Sequence, residues 1–168
     1  MLSFVEIARK AILDKNFTNN EFREKRGIFV TIYSDDELRG CIGFIEPIFT
    51  LSEGIIKAAR LAAFYDNRFL PLGKNEKFKV EISILSNPEL IRVKNYKEYL
   101  KKIKIGEDGL IIESGNNKGL LLPKVFIEYD VDVKRALEMT CSKAGLDKDE
   151  WMNLKNKVYK FQAKVYSE

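Results

Sequence analysis

The stretch that decides the fold is LRGCIG, residues 38–43, read together with the run IFVTIY at residues 28–33. The first run is β-branched and aromatic, the intervening SDDE is polar, and residues 38–45 resume an extended pattern. Two such runs on either side of a short polar segment predict a β-hairpin, which starts a sheet.

The pairing within this hairpin decides which way the cysteine side chain points. If residues 34–37 form a simple four-residue turn, Cys41 faces Val30 and Arg39 faces Ile32. A slip of one residue moves every side chain to the other face of the sheet. The sequence therefore leaves open whether the Cys41 thiol points toward the core or toward a cleft.

Helices are predicted on both sides of the hairpin. Ser3 with Glu6 and Thr50 with Glu53 have capping-box spacing, which predicts helices over about residues 4–16 and over the small-residue segment 55–63. The second helix stops before a loop at residues 67–71. Helices that accompany hairpins in this irregular order indicate an α+β fold with a mainly antiparallel sheet.

The second half of the chain continues the same mixture. We predict a strand at 78–85 with Glu81 and Ser83 on its more polar face, a hairpin whose strands are 109–113 and 119–122, and a helix from Asp132 to Gly145. A short helical turn carries Trp151, and alternation over residues 159–165 predicts a final strand. Because no linker divides the chain, we expect residues 1–168 to form one domain, with two interleaved subdomains left as an option.

Composition excludes several kinds of chemistry. The chain has no histidine, which removes Ser-His-Asp and Cys-His catalysis and any imidazole-ligated metal. Its two cysteines, Cys41 and Cys141, are 100 positions apart, too few for a Cys₄ metal site, so we expect neither a metal nor another cofactor. No apolar run approaches the roughly 18 residues that span a membrane. We expect a cytoplasmic protein, and the abundance of Lys and Glu resembles that of thermophile proteins.

Four ordered motifs resemble those of the AMMECR family. They are LRGCIG at 38–43, EISILS at 81–86, GLLLP at 119–123, and KAGL at 143–146 followed by Trp151, so the similarity covers nearly the whole chain. The family's Asp-Pro-Arg-Phe segment corresponds to DNRF at 66–69, where Asn67 replaces the proline. The resemblance implies an archaeal-type α+β protein with a larger and a smaller subdomain beside a cleft, and no established biochemical activity.

The strongest candidate for chemistry is the hexapeptide itself. Cys41 is its one strong nucleophile, and Arg39, two positions away, lies on the same strand face and favours the thiolate. Gly40 and Gly43 permit close backbone approach by a ligand or by another strand. With histidine absent, a general base has to be a carboxylate, a lysine or water, and Glu81 is the first candidate because we expect its strand to neighbour this one.

Our leading hypothesis is a cleft that binds a small, anionic ligand or substrate through Arg39, with Cys41, Glu81 and Ser83 nearby. Asp66 and Arg68 at the end of the second helix are further candidates for this site, as is Arg60. Whether the protein is an enzyme stays open. The structural alternative is that Cys41 is an inert core residue and that Arg39 pairs with a carboxylate, of which Glu81, Asp66 and Glu128 are the candidates. We assign no chemistry to Cys141.

Two other functional classes remain as alternatives. The family resemblance implies a link to Memo-like and radical SAM proteins, so the chain is alternatively a protein-interaction or adaptor module. Five lysines (Lys94, Lys97, Lys101, Lys102 and Lys104) alternate with Tyr96 and Tyr99, a pattern that allows weak nucleic-acid binding. The net charge of +4 is too small to favour that class, and the oligomeric state is not decided by the sequence.

Overall fold

A computed structural model describes all residues, 1–168, and contains five helices and two four-stranded antiparallel sheets, which confirms the α+β prediction. The helices are α1 (Phe4–Leu13), α2 (Leu51–Phe64), α3 (Tyr99–Lys102), α4 (Pro123–Glu128) and α5 (Val133–Lys143). The strands are β1 (Ile28–Ser34), β2 (Glu37–Phe44), β3 (Lys79–Leu85), β4 (Glu89–Leu90), β5 (Gly109–Ser114), β6 (Asn117–Leu121), β7 (Lys157–Phe161) and β8 (Ala163–Ser167). The chain divides into two compact units, residues 1–85 with 164–168 and residues 86–163.

The first unit is a sheet with strand order β2-β1-β3-β8 and two helices, α1 and α2, packed against it. Both helices begin with the predicted capping boxes, in which Ser3 and Thr50 accept from the N–H groups of Glu6 and Glu53. The core contains the alternate residues of β1 (Ile28, Val30 and Ile32), together with Val80 and Ile82 of β3 and the small residues of α2. Since neighbouring residues of a strand point to opposite faces, Phe29, Thr31, Glu81 and Ser83 lie on the face away from this core.

The hairpin forms as predicted, but its register differs from the simple four-residue case. Ser34 pairs with Glu37 across a tight turn in which Asp35 and Asp36 both have positive φ, typical of a hairpin turn that follows the strand twist. The pairing then shifts by one residue at a β-bulge. Opposite the step from Ile32 to Tyr33 in β1, strand β2 has one extra residue.

The extra residue in β2 is Arg39. Ile32 pairs with Gly40 and Tyr33 pairs with Leu38, so Arg39 has no directly opposed partner. Cys41 consequently faces Thr31, so of the two registers that the sequence left open, the one with Cys41 opposite Val30 and Arg39 opposite Ile32 does not form. Because Thr31 points away from the helices, the bulge decides that the thiol points away from the core.

The second unit has its own sheet, with order β4-β7-β5-β6, and its own core. The predicted hairpin is β5 and β6, joined through Gly115 at positive φ, and α5 packs on both strands. Asp132 caps α5, and Gly145, with φ +74°, follows its last turn, both as predicted. The core of this unit includes Phe126, Leu137, Cys141, Trp151 and Val158.

Two predicted elements need correction, and one helix was not predicted. Helix α1 ends at Leu13 rather than near residue 16, because Asp14 is extended and its carboxylate accepts from the N–H of Asn16. The predicted final strand is two strands: β7 lies in the second sheet and β8 in the first, with Gln162 between them. Helix α4 was not predicted. None of the helices has the length and the apolar composition needed to cross a membrane.

Candidate functional site

The candidate site lies on the face of the first sheet opposite to its helices. Here Cys41 of β2, Thr31 of β1 and Glu81 of β3 form one row across three adjacent strands. The Thr31 hydroxyl donates a hydrogen bond to the Cys41 sulfur, with an Oγ1–Sγ distance of 3.3 Å. We call these three residues, with Asp66 and Arg68, the Cys41 site.

Asp66 and Arg68 bind the backbone of Cys41 from the open edge of the sheet. The Cys41 N–H donates to Asp66 Oδ2 at 3.0 Å, and the Cys41 carbonyl accepts from Arg68 Nη2 at 3.0 Å. Strand β2 is the first strand of its sheet, so these two backbone groups have no neighbouring strand to bind. The two side chains therefore take the place of a pairing strand at the residue that carries the thiol.

Helix α2 brings these side chains to Cys41. A Cβ atom on Gly40 would lie 2.0 Å from the carbonyl oxygen of Ala62, so only glycine allows β2 to approach the last turn of α2 this closely. The helix ends at Phe64, and Asp66 follows two residues later. The close approach at Gly40 thus places residues 66–69 beside Cys41.

The carboxylate of Asp66 is buried and the guanidinium of Arg68 is not. The side chain of Asp66 is 3% exposed and that of Arg68 is 56% exposed, and they are joined by an Nη2–Oδ2 bond of 2.7 Å and an Nε–Oδ1 bond of 2.9 Å. The hydrogen bonds from Arg68, with those from the N–H groups of Cys41 and Arg68, lower the pKa of Asp66 to about 2. Solvent therefore meets the positive member of this pair.

Arg39 is held by a different carboxylate from those expected. Its Nε and Nη2 bind Glu76 Oε1 and Oε2 at 2.7 and 3.0 Å, and its Nη1 binds the Leu70 carbonyl at 2.9 Å. Arg39 lowers the pKa of Glu76 to about 2. An ion pair was expected, but with Glu81, Asp66 or Glu128; Glu76 lies in the segment between α2 and β3, where sequence alone does not predict contacts. Arg39 thus anchors residues 70–76 onto β2.

Glu81 and Ser83 lie on the same face as Cys41, as expected, but not on a neighbouring strand. Strand β3 pairs with β1, and β1 lies between it and β2, so the expectation that the strand of Glu81 neighbours that of Cys41 is wrong. Thr31 occupies the place next to the sulfur. Ser83 pairs with Phe29 one row further along, and it is 2% exposed.

Protein atoms fill the space at both glycines of the hexapeptide. Gly40 faces the backbone of helix α2, not another strand as expected, whereas a Cβ atom on Gly43 would lie 2.3 Å from the Ile28 carbonyl oxygen and 2.4 Å from the Phe29 ring of β1. Packing thus accounts for both residues without a ligand, and neither contributes a free surface beside the thiol.

Other residues singled out in the sequence lie outside this site. Arg60 donates to the carbonyls of Ala11, Asp14 and Phe17 and so closes the end of α1. Cys141 is fully buried, and burial raises the pKa of its thiol to about 11, as expected of an inert cysteine.

The lysine-rich segment also differs from its expected form. Its five lysines are exposed, but Tyr99 is buried in the core of the second unit and cannot stack on a base. Tyr96 packs edge-on against Trp151, with ring centroids 5.8 Å apart. The alternation of lysine and tyrosine therefore reflects an amphipathic segment, in which the lysines face solvent and the tyrosines pack on the second unit's buried residues.

Thr31 was not among the site residues predicted from the sequence. The residue lies in the middle of an apolar run and looks like an ordinary strand residue. The only signal was its polar side chain between Val30 and Ile32, both of which are core residues, since alternation places Thr31 on the other face.

Comparison with known proteins shows what this chain is similar to. A family model described as AMMECR1 matches residues 4–166. Protein MJ0810 of Methanocaldococcus jannaschii is 52% identical over 151 residues, which are 88% of this chain and 75% of that protein. Protein MK0488 of Methanopyrus kandleri is 43% identical over 178 residues, covering 98% of this chain and 86% of that one. The crystal structure of the uncharacterized protein PH0010 from Pyrococcus horikoshii matches with a TM-score of 0.89 and 42% identity over 98% of this chain and 89% of that chain.

Proposed function

The chain belongs to the AMMECR1 family, and from the arrangement around Cys41 we propose that it binds a small anionic ligand or substrate on this face of its first sheet. The observation that carries the proposal is the position of Arg68. Its guanidinium is held beside Cys41, a partly buried residue, by two bonds to Asp66 and one to the Cys41 carbonyl. The remaining amino group, Nη1, makes no hydrogen bond within the protein and is available to an anion.

The cation of this proposal is Arg68 rather than Arg39. Nε and Nη2 of Arg39 bind the Glu76 carboxylate, and its third nitrogen, Nη1, binds the Leu70 carbonyl, so its charge is already paired and each nitrogen already has a partner. Arg68 is also paired, but its partner is buried while it is exposed. A ligand that approaches from solvent therefore meets a fixed guanidinium, and a fixed donor loses little conformational entropy on binding.

The proposal is tested with two alkylating reagents that differ in charge. Iodoacetate is a small anion and iodoacetamide is its neutral counterpart, so the ratio of their rates at Cys41 measures attraction of an anion to the thiol. We expect this ratio to exceed that of a simple thiol such as 2-mercaptoethanol by roughly fivefold, which corresponds to about 1 kcal/mol of attraction at this distance.

Three variants make the test specific. Arg68→Gln should bring the ratio down to that of the simple thiol, Arg68→Lys should keep most of it, and Arg39→Gln should leave it close to the wild-type value. Inorganic phosphate at millimolar concentration should slow the alkylation of the wild type and not that of Arg68→Gln. If the Arg68→Gln protein, shown to be folded by circular dichroism, keeps the wild-type ratio, the proposal is wrong.

A further inference from the structure

Strand β4 lies at the edge of the second sheet, and part of its outer side has no partner. Leu90 pairs with Tyr159 of β7, and the next residue, Ile91, donates its N–H to the Val158 carbonyl at 2.9 Å. Because successive N–H groups of a strand point to opposite sides, the N–H and the carbonyl of Leu90 point away from β7. Neither group makes a hydrogen bond within the protein. Leu90 thus presents one donor and one acceptor at the open edge of the sheet.

Side chains cover the outward backbone groups that follow. The Arg92 carbonyl accepts from Lys102 Nζ at 2.6 Å, and the Lys94 N–H donates to Glu98 Oε2 at 3.0 Å. Side chains that cover an edge in this way prevent another chain from pairing with it. The edge is therefore closed from the Arg92 carbonyl onward and open at Leu90, so a strand added here has to be short.

A groove with a volume of about 400 Å³ lies along this open edge. The residues that line it are Glu89, Leu90, Ile91, Arg92, Lys102 and Lys160. Three of these side chains are cations and one is an anion, so positive charge predominates in the groove. Charge complementarity favours a ligand with negative charge.

The cations of the groove are positioned without being neutralised. Lys160 Nζ donates to the Lys102 carbonyl at 3.1 Å, and Lys102 Nζ donates to the Arg92 carbonyl, so both ammonium groups bind uncharged acceptors. Lys102 also lies 3.9 Å from a Glu98 oxygen, and such exposed pairs contribute little. Arg92 is exposed, and its guanidinium has no ion pair within the protein. A ligand therefore meets cations that no carboxylate holds at hydrogen-bond distance.

An extended peptide with acidic side chains matches both features of this edge. A peptide backbone carries an N–H and a carbonyl and so can pair with Leu90 as an added strand. Lys160 pairs with Glu89 and shares its face of the sheet, whereas Arg92 lies on the other face. Since an added strand also alternates its side chains, neighbouring acidic residues reach different cations. A phosphodiester backbone would satisfy the cations but supplies no donor to the Leu90 carbonyl.

We propose that the groove beside β4 is a docking site for a short, extended, acidic segment of a partner protein. The segment pairs with Leu90 as an added strand, and its carboxylates contact Arg92, Lys102 and Lys160. The docking site lies wholly within the second unit and does not depend on the Cys41 site. It gives the protein an interaction surface in addition to the proposed ligand site.

The test uses three fluorescein-labelled peptides of nine residues, whose binding to the full chain is measured by fluorescence anisotropy at low salt. The first repeats Val-Glu-Glu three times, the second has lysine in place of every glutamate, and the third is the first peptide with every backbone nitrogen methylated. We expect the acidic peptide to bind and the lysine peptide not to bind. The methylated peptide keeps the charge but cannot donate to the Leu90 carbonyl, so its affinity should be about fivefold lower, the effect of one lost hydrogen bond.

Variants of the groove test the role of its charges. Arg92→Gln and Lys160→Gln should each weaken binding of the acidic peptide by roughly threefold, a typical effect for an exposed charge pair. Glu89→Gln should strengthen binding by a similar factor, because it removes the one carboxylate that lines the groove. Lys134→Gln is the matched control: it makes the same change in charge at an exposed position of α5, which packs on β5 and β6, and should leave the affinity unchanged.

Amide spectra of the protein by nuclear magnetic resonance locate the bound peptide. The Leu90 amide should shift and exchange more slowly with solvent, since its N–H gains an acceptor. No binding of the acidic peptide, equal affinity for its methylated form, or an equal loss in Lys134→Gln would overturn the proposal. Tighter binding of a nine-nucleotide oligothymidylate than of the acidic peptide, without a shift at Leu90, would overturn it in favour of a nucleic-acid surface.

Discussion

Asp66 is the residue on which the geometry of the Cys41 site depends. One buried carboxylate accepts from the Cys41 N–H, the Arg68 N–H and the Arg68 guanidinium. These donors stabilise the charged carboxylate, so its pKa lies near 2 instead of the usual 3.8. A carboxylate with a lowered pKa in the folded state stabilises the protein above pH 3.8, and that stability is lost as the pH falls toward 2.

We therefore expect Asp66→Asn to lower the free energy of unfolding at pH 7 by about 2 kcal/mol, the equivalent of this difference in pKa. The difference between the variant and the wild type should shrink as the pH falls from 4 to 2. Urea unfolding at several pH values measures both effects. Asp35→Asn, at an exposed carboxylate in the turn, is the control and should change little. A variant as stable as the wild type at pH 7 would contradict this account.

At the scale of elements, features encoded by neighbouring residues were predicted from the sequence, whereas contacts between distant segments were not. The capping boxes at Ser3 and Thr50 and the turn at 34–37 are encoded within a few residues, and each was predicted. The bulge leaves Arg39 without an opposed residue in β1, and the carboxylate that Arg39 binds comes from Glu76, 37 residues further along the chain. For the candidate site, the sequence singled out Cys41, Asp66 and Arg68, which lie in contact in the structure, but it did not single out Thr31.

Packing of β2 on α2 makes a second prediction. The Cβ of Ala at position 40 would overlap the Ala62 carbonyl, so the end of α2 would have to move, and residues 66–69 with it. We expect Gly40→Ala to destabilise the protein by about 3 kcal/mol, the upper end of ordinary overpacking. Gly73→Ala is a matched control because its Cβ would meet only ordinary contacts at 3.6 and 3.7 Å. Thermal unfolding of the two variants side by side measures this, and equal stability would contradict the close approach.

At the scale of the whole molecule, the chain leaves the first unit after β3 and returns to it only in its last strand. Residues 164–168 belong to the first unit although residues 86–163 precede them. The alternation over 159–165 gave no sign of this, because β7 and β8 continue the same period of two and are separated by only one residue, Gln162. Whether β7 and β8 join the first or the second sheet depends on the strands that pair with them, and not on the alternation of apolar and polar residues.

This topology predicts that shortening the chain at its end affects the distant first unit. Strand β8 covers the edge of β3, the Glu168 carboxylate accepts from Arg9 and from the Val80 N–H, and Tyr166 packs on Phe4. Ending the chain at Gln162 removes these contacts, and we expect the first unit to lose about 3 kcal/mol, since several hydrogen bonds of about 1 kcal/mol each are lost.

Hydrogen exchange should show this loss as faster exchange of the amides of β1 and β3, while those of β5 and β7 stay protected. Cys141, buried in the second unit, should remain unreactive to alkylation in the shortened chain. The Glu168→Gln protein is the control, since it keeps β8, and it should lose only a small part of the stability. Uniform loss of protection in both units, or none in β3, would show that β8 does not act on the first unit in this way.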